Sequence, residues 1–138
     1  MNLVKGFFAQ LRYRWLRKYK SLAGSSLKRN AQAITELQWQ QRDTLIQSEH
    51  ALPGQLIVNL TSFPDRFAKL HLTLKSLLLQ TVKADKVILW LYQDDIAKLP
   101  ASVTVLQKYG LTIAPVGTDT RSYKKLIPAL KSFPDAFH

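Results

Sequence analysis

The chain contains no cysteine. Disulfides, thiolate nucleophiles and cysteine-based metal sites are thereby excluded, and the composition suits a reducing compartment. Histidine is scarce too. His50, His71 and His138 lie far apart and show no ligand spacing such as His-x-x-x-His, which places each at the surface or behind a site rather than on a metal. No apolar run reaches the ~20 residues of a membrane-spanning helix. No uninterrupted apolar core precedes a small-residue cleavage site, so a secretory signal is not expected. Acid is absent from residues 1–30, which carry eight Lys or Arg and a charge of +8.

What is present suits one domain of ordinary size. The 138 residues are 46% hydrophobic, enough to build a core and to exclude global disorder. The net charge is +11, so residues 31–138 hold only +3 of it. The body is mildly basic, and the excess belongs to an amino-terminal arm. In residues 1–20, Leu3, Val4, Phe7, Phe8, Leu11, Trp15 and Tyr19 recur at steps of three and four, with Lys5, Arg12, Arg14, Arg17, Lys18 and Lys20 among them. This is the pattern of a basic amphipathic helix. It suits an anionic membrane surface or a docking partner. Packing of the stripe on the domain and charge-driven nucleic-acid binding are the alternatives. Nucleic acid is the weakest of these, because no RNA-binding aromatic motif and no helix-turn-helix is recognisable.

The sequence predicts a linker and helix over 21–54. Ser21 to Asn30, with Gly24-Ser25-Ser26, has the composition of a hinge. A weakly amphipathic helix is expected from Ala31 to Ser48, and Leu52-Pro53-Gly54 closes the segment. From residue 55 the pattern changes. Leu56-Ile57-Val58-Asn59-Leu60 is an apolar, β-branched run of strand length that breaks at Thr61-Ser62 and becomes helical near Pro64. Ser62 suits a helix N-cap, with Asp65 as a short capping-box partner. Helix Asp65–Gln80 carries Phe67, Leu70, Leu74, Leu77 and Leu78 on one side. Thr81 to Asp85 is expected to be a connection. Lys86–Tyr92 is a second, near-continuous apolar strand of the kind covered on both faces. Gln93-Asp94-Asp95 ends it. A helical turn near Ser102–Lys108, a third strand Leu111–Val116, a polar loop Gly117–Ser122 and a helical segment Tyr123–Ser132 follow, the last interrupted by Pro128.

The order β-α-β-α-β-α with short connections predicts a three-layer α/β fold on a mostly parallel sheet. In such a sheet the carboxyl ends of the strands share one rim, and ligands bind there. Thr61-Ser62-Phe63, Gln93-Asp94-Asp95 and 117–122 are expected to meet at that rim.

Three blocks go further than pattern. Val58-Asn59-Leu60-Thr61-Ser62-Phe63-Pro64-Asp65-Arg66, then Leu77-Leu78-Leu79-Gln80-Thr81 before Lys86-Val87-Ile88-Leu89-Trp90-Leu91, then Ser122-Tyr123-Lys124-Lys125-Leu126-Ile127-Pro128-Ala129-Leu130, together resemble the amino half of a bacterial glycosyltransferase family of the GT-A fold. These family-2-like enzymes accompany capsule and lipopolysaccharide genes. The resemblance covers Gln55 to His138 and leaves out the basic arm. It implies a Rossmann-like half-domain with a nucleotide-sugar donor site. Thr61, Ser62 and Arg66 would lie near the nucleoside, Asp94 or Asp95 would bond the base, and Lys124 or Lys125 would meet ribose or diphosphate. The chemistry suits those roles, since carboxylates accept from base N–H groups and lysines act as point charges for phosphate. The bland alternatives are that Asp94-Asp95 caps the following turn, that Lys124-Lys125 is a solvated helix face, and that Arg66 is a surface residue.

The chain departs from the family's pattern in one respect. The next strand of the family ends in an Asp-x-Asp type motif that holds Mg²⁺ or Mn²⁺ on the donor diphosphate. This sequence stops at Phe137-His138, before that motif, and the acceptor-binding half and any catalytic base are missing with it. The expectation is therefore a truncated or split portion. It would bind a donor for transfer to a glycan or lipid-linked acceptor, hold no metal alone, and transfer little or nothing by itself. The expected location is cytoplasmic, peripheral on the inner face of the membrane if the arm docks there. A non-catalytic binding or docking module is the alternative reading, and a charge-driven nucleic-acid binder a weaker one.

Overall fold

A computed structural model describes Gly24 and residues 26–138 of the chain. The basic arm over 1–20 lies outside the described residues. The chain divides into two compact units, 1–37 and 38–138. Residues 26–40 are one helix, α1. The stretch expected to be a hinge is thus helical from residue 26 on. Ser26 does not stop a helix whose neighbours, Leu27, Lys28, Arg29 and Ala31, are good helix formers. The helix is also shorter at its far end than the sequence suggests. It stops at residue 40, and a 3-10 turn Arg42–Thr44 follows.

The remainder of the second unit is mixed α/β with parallel strands. Five strands are described: β1 Ser48–Glu49, β2 Ile57–Thr61, β3 Val82–Lys83, β4 Lys86–Tyr92 and β5 Leu111–Val116. Between them lie helices α2 Phe67–Leu78, α3 Gln93–Ile96 and α4 Ala101–Thr104. After β5 come a 3-10 turn Arg121–Lys125 and helix α5 Ile127–Ser132. Strands β2, β4 and β5 form one sheet in the order β2-β4-β5, all parallel.

The short strands β1 and β3 were not expected. They pair with each other in parallel. The reason is a tertiary one. The Gln47 side-chain amide donates to the carbonyls of Leu78 at 3.0 Å and Gln80 at 2.8 Å, so it caps the end of α2. The Ser48 N–H donates to Thr81 at 2.8 Å. A segment that local pattern assigns to a helix is thereby drawn out alongside residues 81–83.

The sheet is covered on both faces because β4 is apolar on both. Val87, Leu89 and Leu91 point to one side with Phe67, Leu70 and Leu74 of α2, Val103 of α4, Leu106 and Leu111. Ile88 and Trp90 point to the other, with Ile57 and Ala129. Register explains the sorting. Val58 pairs with Val87 and Val87 with Leu111, while Asn59 pairs with Ile88 and Ile88 with Thr112. Side chains alternate faces at every step. The 3-10 turn Val105–Tyr109 leads into β5 through Gly110, whose φ of 102° is left-handed and costs a glycine nothing. Trp39 meets Tyr109 edge to face, centroids 5.1 Å apart, and the Arg42 guanidinium lies 4.6 Å from the Tyr109 ring. These contacts anchor residues 39–42 to the turn before β5.

The outer edge of β2 is met at its start. Phe137 bridges Leu56 in parallel: the Ile57 N–H donates to Phe137 at 2.8 Å, and the Phe137 N–H to Gln55 at 2.8 Å. His138 continues alongside, where Asn59 Nδ2 donates to its Nδ1 at 2.9 Å and its Nε2 donates to the Phe133 carbonyl at 3.0 Å. Asn59 Oδ1 accepts from Trp90 Nε1 at 2.8 Å, so a polar chain crosses the face beneath α5.

Leu89 is fully buried at the centre of β4, whereas Val105 is 42% exposed. Leu89→Ala should therefore destabilise the protein by about 2–5 kcal/mol in urea denaturation. Val105→Ala should stay within about 0.5 kcal/mol. Equal losses would show that β4 is not the keystone of the core.

Candidate functional site

Strand β2 ends at Thr61, and the chain turns through Ser62 and Phe63. Pro64–Arg66 forms a 3-10 turn that runs into α2. The N-cap of that turn is Phe63, and no side chain caps it. Ser62 is thus not the helix cap the sequence suggests. It is buried, 6% exposed, one residue too early to reach the first free N–H groups. Pro64 supplies the helix start instead, since its fixed φ suits a first helical position and it lacks an N–H to satisfy. The Arg66 guanidinium stacks 5.0 Å from the Phe63 ring centroid, which aims it across the carboxyl end of β2.

The facing wall comes from the segment after β5. Asp119 organises it. Its Oδ1 accepts the Arg121 N–H at 2.9 Å, two residues on, and the Lys124 ammonium at 2.9 Å. Arg121 sits at φ 52°, left-handed and uncommon for a residue with a Cβ, and the Asp119 bond helps to hold it there. Lys124 is only 4% exposed. A buried ammonium needs a paired charge, and Asp119 provides it. The 3-10 turn that carries Lys124 packs against β2 and β4, which brings the two walls together.

The result is a cleft of about 520 Å³ lined by Thr61, Ser62, Phe63, Arg66, Asp119, Arg121, Ser122, Lys124 and Lys125. Four cations face one carboxylate there, so the lining is net positive. The Thr61 hydroxyl is buried and has no hydrogen-bond partner among the described residues. A second hollow of about 430 Å³ shares Thr61, Ser62 and Arg66 and continues along α2 past Asp65, Lys69 and Thr73. Both lie at the carboxyl end of β2, the outer strand of the three-stranded sheet. Ligands of open parallel sheets bind outside the carboxyl ends of the strands.

Of the seven residues singled out in the sequence, Thr61, Ser62, Arg66, Lys124 and Lys125 meet in this cleft. Asp94 and Asp95 do not line it. They lie in the first turn of α3, directly after β4. Asp95 accepts from Lys98 Nζ at 2.8 Å. Asp94 hydrogen-bonds the Tyr92 phenol and raises its pKa, aided by its own negative charge. Phe63, Asp119, Arg121 and Ser122 complete the lining; the sequence placed their loops at the rim without assigning any of the four a role. An aspartate two residues before Arg121 is a readable turn signal. The burial of Lys124 has no local signature.

No group of three or more His, Asp or Glu side chains that could hold a metal occurs among the described residues. Nor is any helix among them long and apolar enough to cross a membrane. Comparison with family models, with characterised proteins and with solved structures finds no match to this chain.

The Asp119 carboxyl is held below the ordinary carboxylate range, first by the Lys124 ammonium and then by the Arg121 N–H. Its folded pKa is thus below its unfolded value. The stability it lends is present above the unfolded carboxyl pKa of about 3.9 and is lost as pH falls through the folded value. A ¹³C titration of the Asp119 carboxyl should give a midpoint below the ordinary one. Asp119→Asn should lower the thermal midpoint, because Lys124 then keeps its charge without a partner. An Asp119 midpoint at or above that of a model peptide would overturn this account.

Proposed function

We propose that the cleft takes the diphosphate of a nucleotide-sugar, and that the chain is the donor-binding portion of a GT-A-type glycosyltransferase serving surface polysaccharide synthesis. One observation carries this reading. Arg66 from the loop after β2 and Arg121, Lys124 and Lys125 from the segment after β5 converge on one cleft at the carboxyl end of the parallel strand β2. The order β5-β4-β2 is 3-2-1 by sequence, with one bridge from Phe137 on the free side of β2, which is compatible with the start of a doubly wound nucleotide-binding sheet.

The assignment of roles follows from chemistry. Arg66 is a planar fork suited to two oxygens of one phosphate. Lys125 and Arg121 add exposed positive charge. Lys124, already held by Asp119, fixes the wall rather than reaching freely into the cleft. The unpartnered Thr61 hydroxyl supplies a donor and acceptor for a sugar or ribose hydroxyl. On this reading Asp94 or Asp95, in the turn directly after β4 and outside the cleft lining, would bond the base. The acceptor on this reading is a glycan or a lipid-linked glycan.

A divalent cation on the diphosphate needs several converging oxygen ligands. Among the described residues Asp119 is the only carboxylate lining the cleft, and its Oδ1 is engaged by Lys124 and Arg121. The described residues therefore do not fit Mg²⁺ or Mn²⁺, and binding here rests on the chain's own cations.

Calorimetric titration with UDP, GDP, UDP-sugars and pyrophosphate tests the reading. Binding of a nucleoside diphosphate tighter than pyrophosphate is expected. Arg66→Ala and Lys125→Ala should each weaken it by about tenfold, the loss of one charge-assisted hydrogen bond. Asp95→Ala should narrow the difference between bases without changing pyrophosphate affinity. Equal affinity for every polyanion, single-stranded oligonucleotides included, with a steep salt dependence, would instead mark a charge-driven binder.

A further inference from the structure

The hollow of about 430 Å³ beside the cleft has as yet no occupant. Its volume falls within the roughly 300–1,000 Å³ of small-molecule sites. It joins the cleft through Thr61, Ser62 and Arg66. Otherwise it draws on β2, the turn after it and α2, and on no residue of β4 or of the turn that carries Asp94 and Asp95. Leu60 is half-buried and Leu70 is buried, so the two make an apolar floor. Asp65, Lys69 and Thr73 are exposed and follow at steps of four residues, which puts them on one side of the hollow. Asp65 closes no capping box, since no side chain caps its turn. Where the hollow meets the cleft, the Thr61 hydroxyl is buried without a hydrogen-bond partner among the described residues. Such a group is costly unless a ligand satisfies it.

We propose that this hollow is the subsite for the hexosyl group of the donor, bonded by Asp65, Lys69 and Thr73 over a floor of Leu60 and Leu70. It rests on the diphosphate occupying the cleft. A pyranose has an apolar C–H face and a rim of hydroxyls that each donate and accept. The floor suits the face, and the side suits the rim. A carboxylate accepts from two neighbouring hydroxyls, an ammonium donates to a third, and a threonine does either. One carboxylate and one ammonium leave that side without net charge, which suits a neutral sugar. A nucleobase fits less well, because among the described residues no aromatic side chain lines the hollow for it to stack on. The base then lies at the other end of the diphosphate, on the side of Asp94 and Asp95. Arg66, at the junction of hollow and cleft, meets the phosphate that bears the sugar.

Calorimetry on the full chain with UDP, UDP-glucose, GDP and GDP-mannose isolates the sugar, as the ratio of each sugar nucleotide's affinity to that of its own diphosphate. At least one sugar nucleotide should bind about tenfold tighter than its diphosphate. Asp65→Asn and Thr73→Val should each remove most of that ratio. In ¹⁵N–¹H spectra of the unsubstituted chain, the amides of Lys69 and Thr73 should shift with that sugar nucleotide and stay in place with the diphosphate alone. These spectra decide alone should a variant fail to fold. The subsite is overturned, with the cleft reading intact, if nucleoside diphosphates bind tighter than pyrophosphate while neither sugar adds affinity. It is overturned in the same way if the ratio survives both substitutions, or if the two amides do not move. If no nucleotide binds tighter than pyrophosphate, the cleft reading fails and the subsite fails with it.

Discussion

The apolar character of β4 on both of its faces is the constraint from which the second unit is built. Val87 to Leu91 are all buried, and no other strand has that property. A strand of this kind cannot lie at an edge or face water. It must be flanked by two strands and covered by helices above and below. Strands β2 and β5 take the flanks, α2 and α4 one face, and α5 the other. The segment after β5 must therefore cross the sheet to reach the far side of β2. That crossing brings Lys124 over the end of β2, and with it the cationic wall of the cleft.

The site thus depends on the fold through one crossing, and its electrostatics depend on one pair. Lys124 and Asp119 are close to each other in sequence, yet their contact is made only because the turn is pressed onto β2 and β4. Buried, the ammonium needs its partner, and the partner in turn steadies Arg121 in a left-handed conformation. Structure and recognition are shared out among neighbours. Lys124 stiffens the wall, while Arg66, Arg121 and Lys125 remain available to an anion. The same crossing leaves Leu126, Ile127 and Leu130 facing outward.

Legibility in the sequence followed the range of the interactions involved. Strands β2, β4 and β5 and helix α2 were readable because each carries its own periodicity. The meeting of Thr61, Ser62, Arg66, Lys124 and Lys125 was readable because a parallel sheet sends all its carboxyl ends to one rim. The short strands β1 and β3 were not, since two residues hold no period and the pairing rests on Gln47 reaching the end of α2. Nor was the role of Ser62, whose residue type suits a cap while the turn begins one residue later.

The order of residues along the chain, taken alone, settled the mixed α/β character, the parallel strands and the uneven charge, because these arise from local period and composition. Only the folded chain decided that Asp119 faces Lys124, that Asp94 and Asp95 stand outside the cleft, and that α5 turns Leu126, Ile127 and Leu130 outward. Those outcomes depend on which side of a helix meets the sheet. A helix carrying lysines and leucines on more than one side has no local means of choosing.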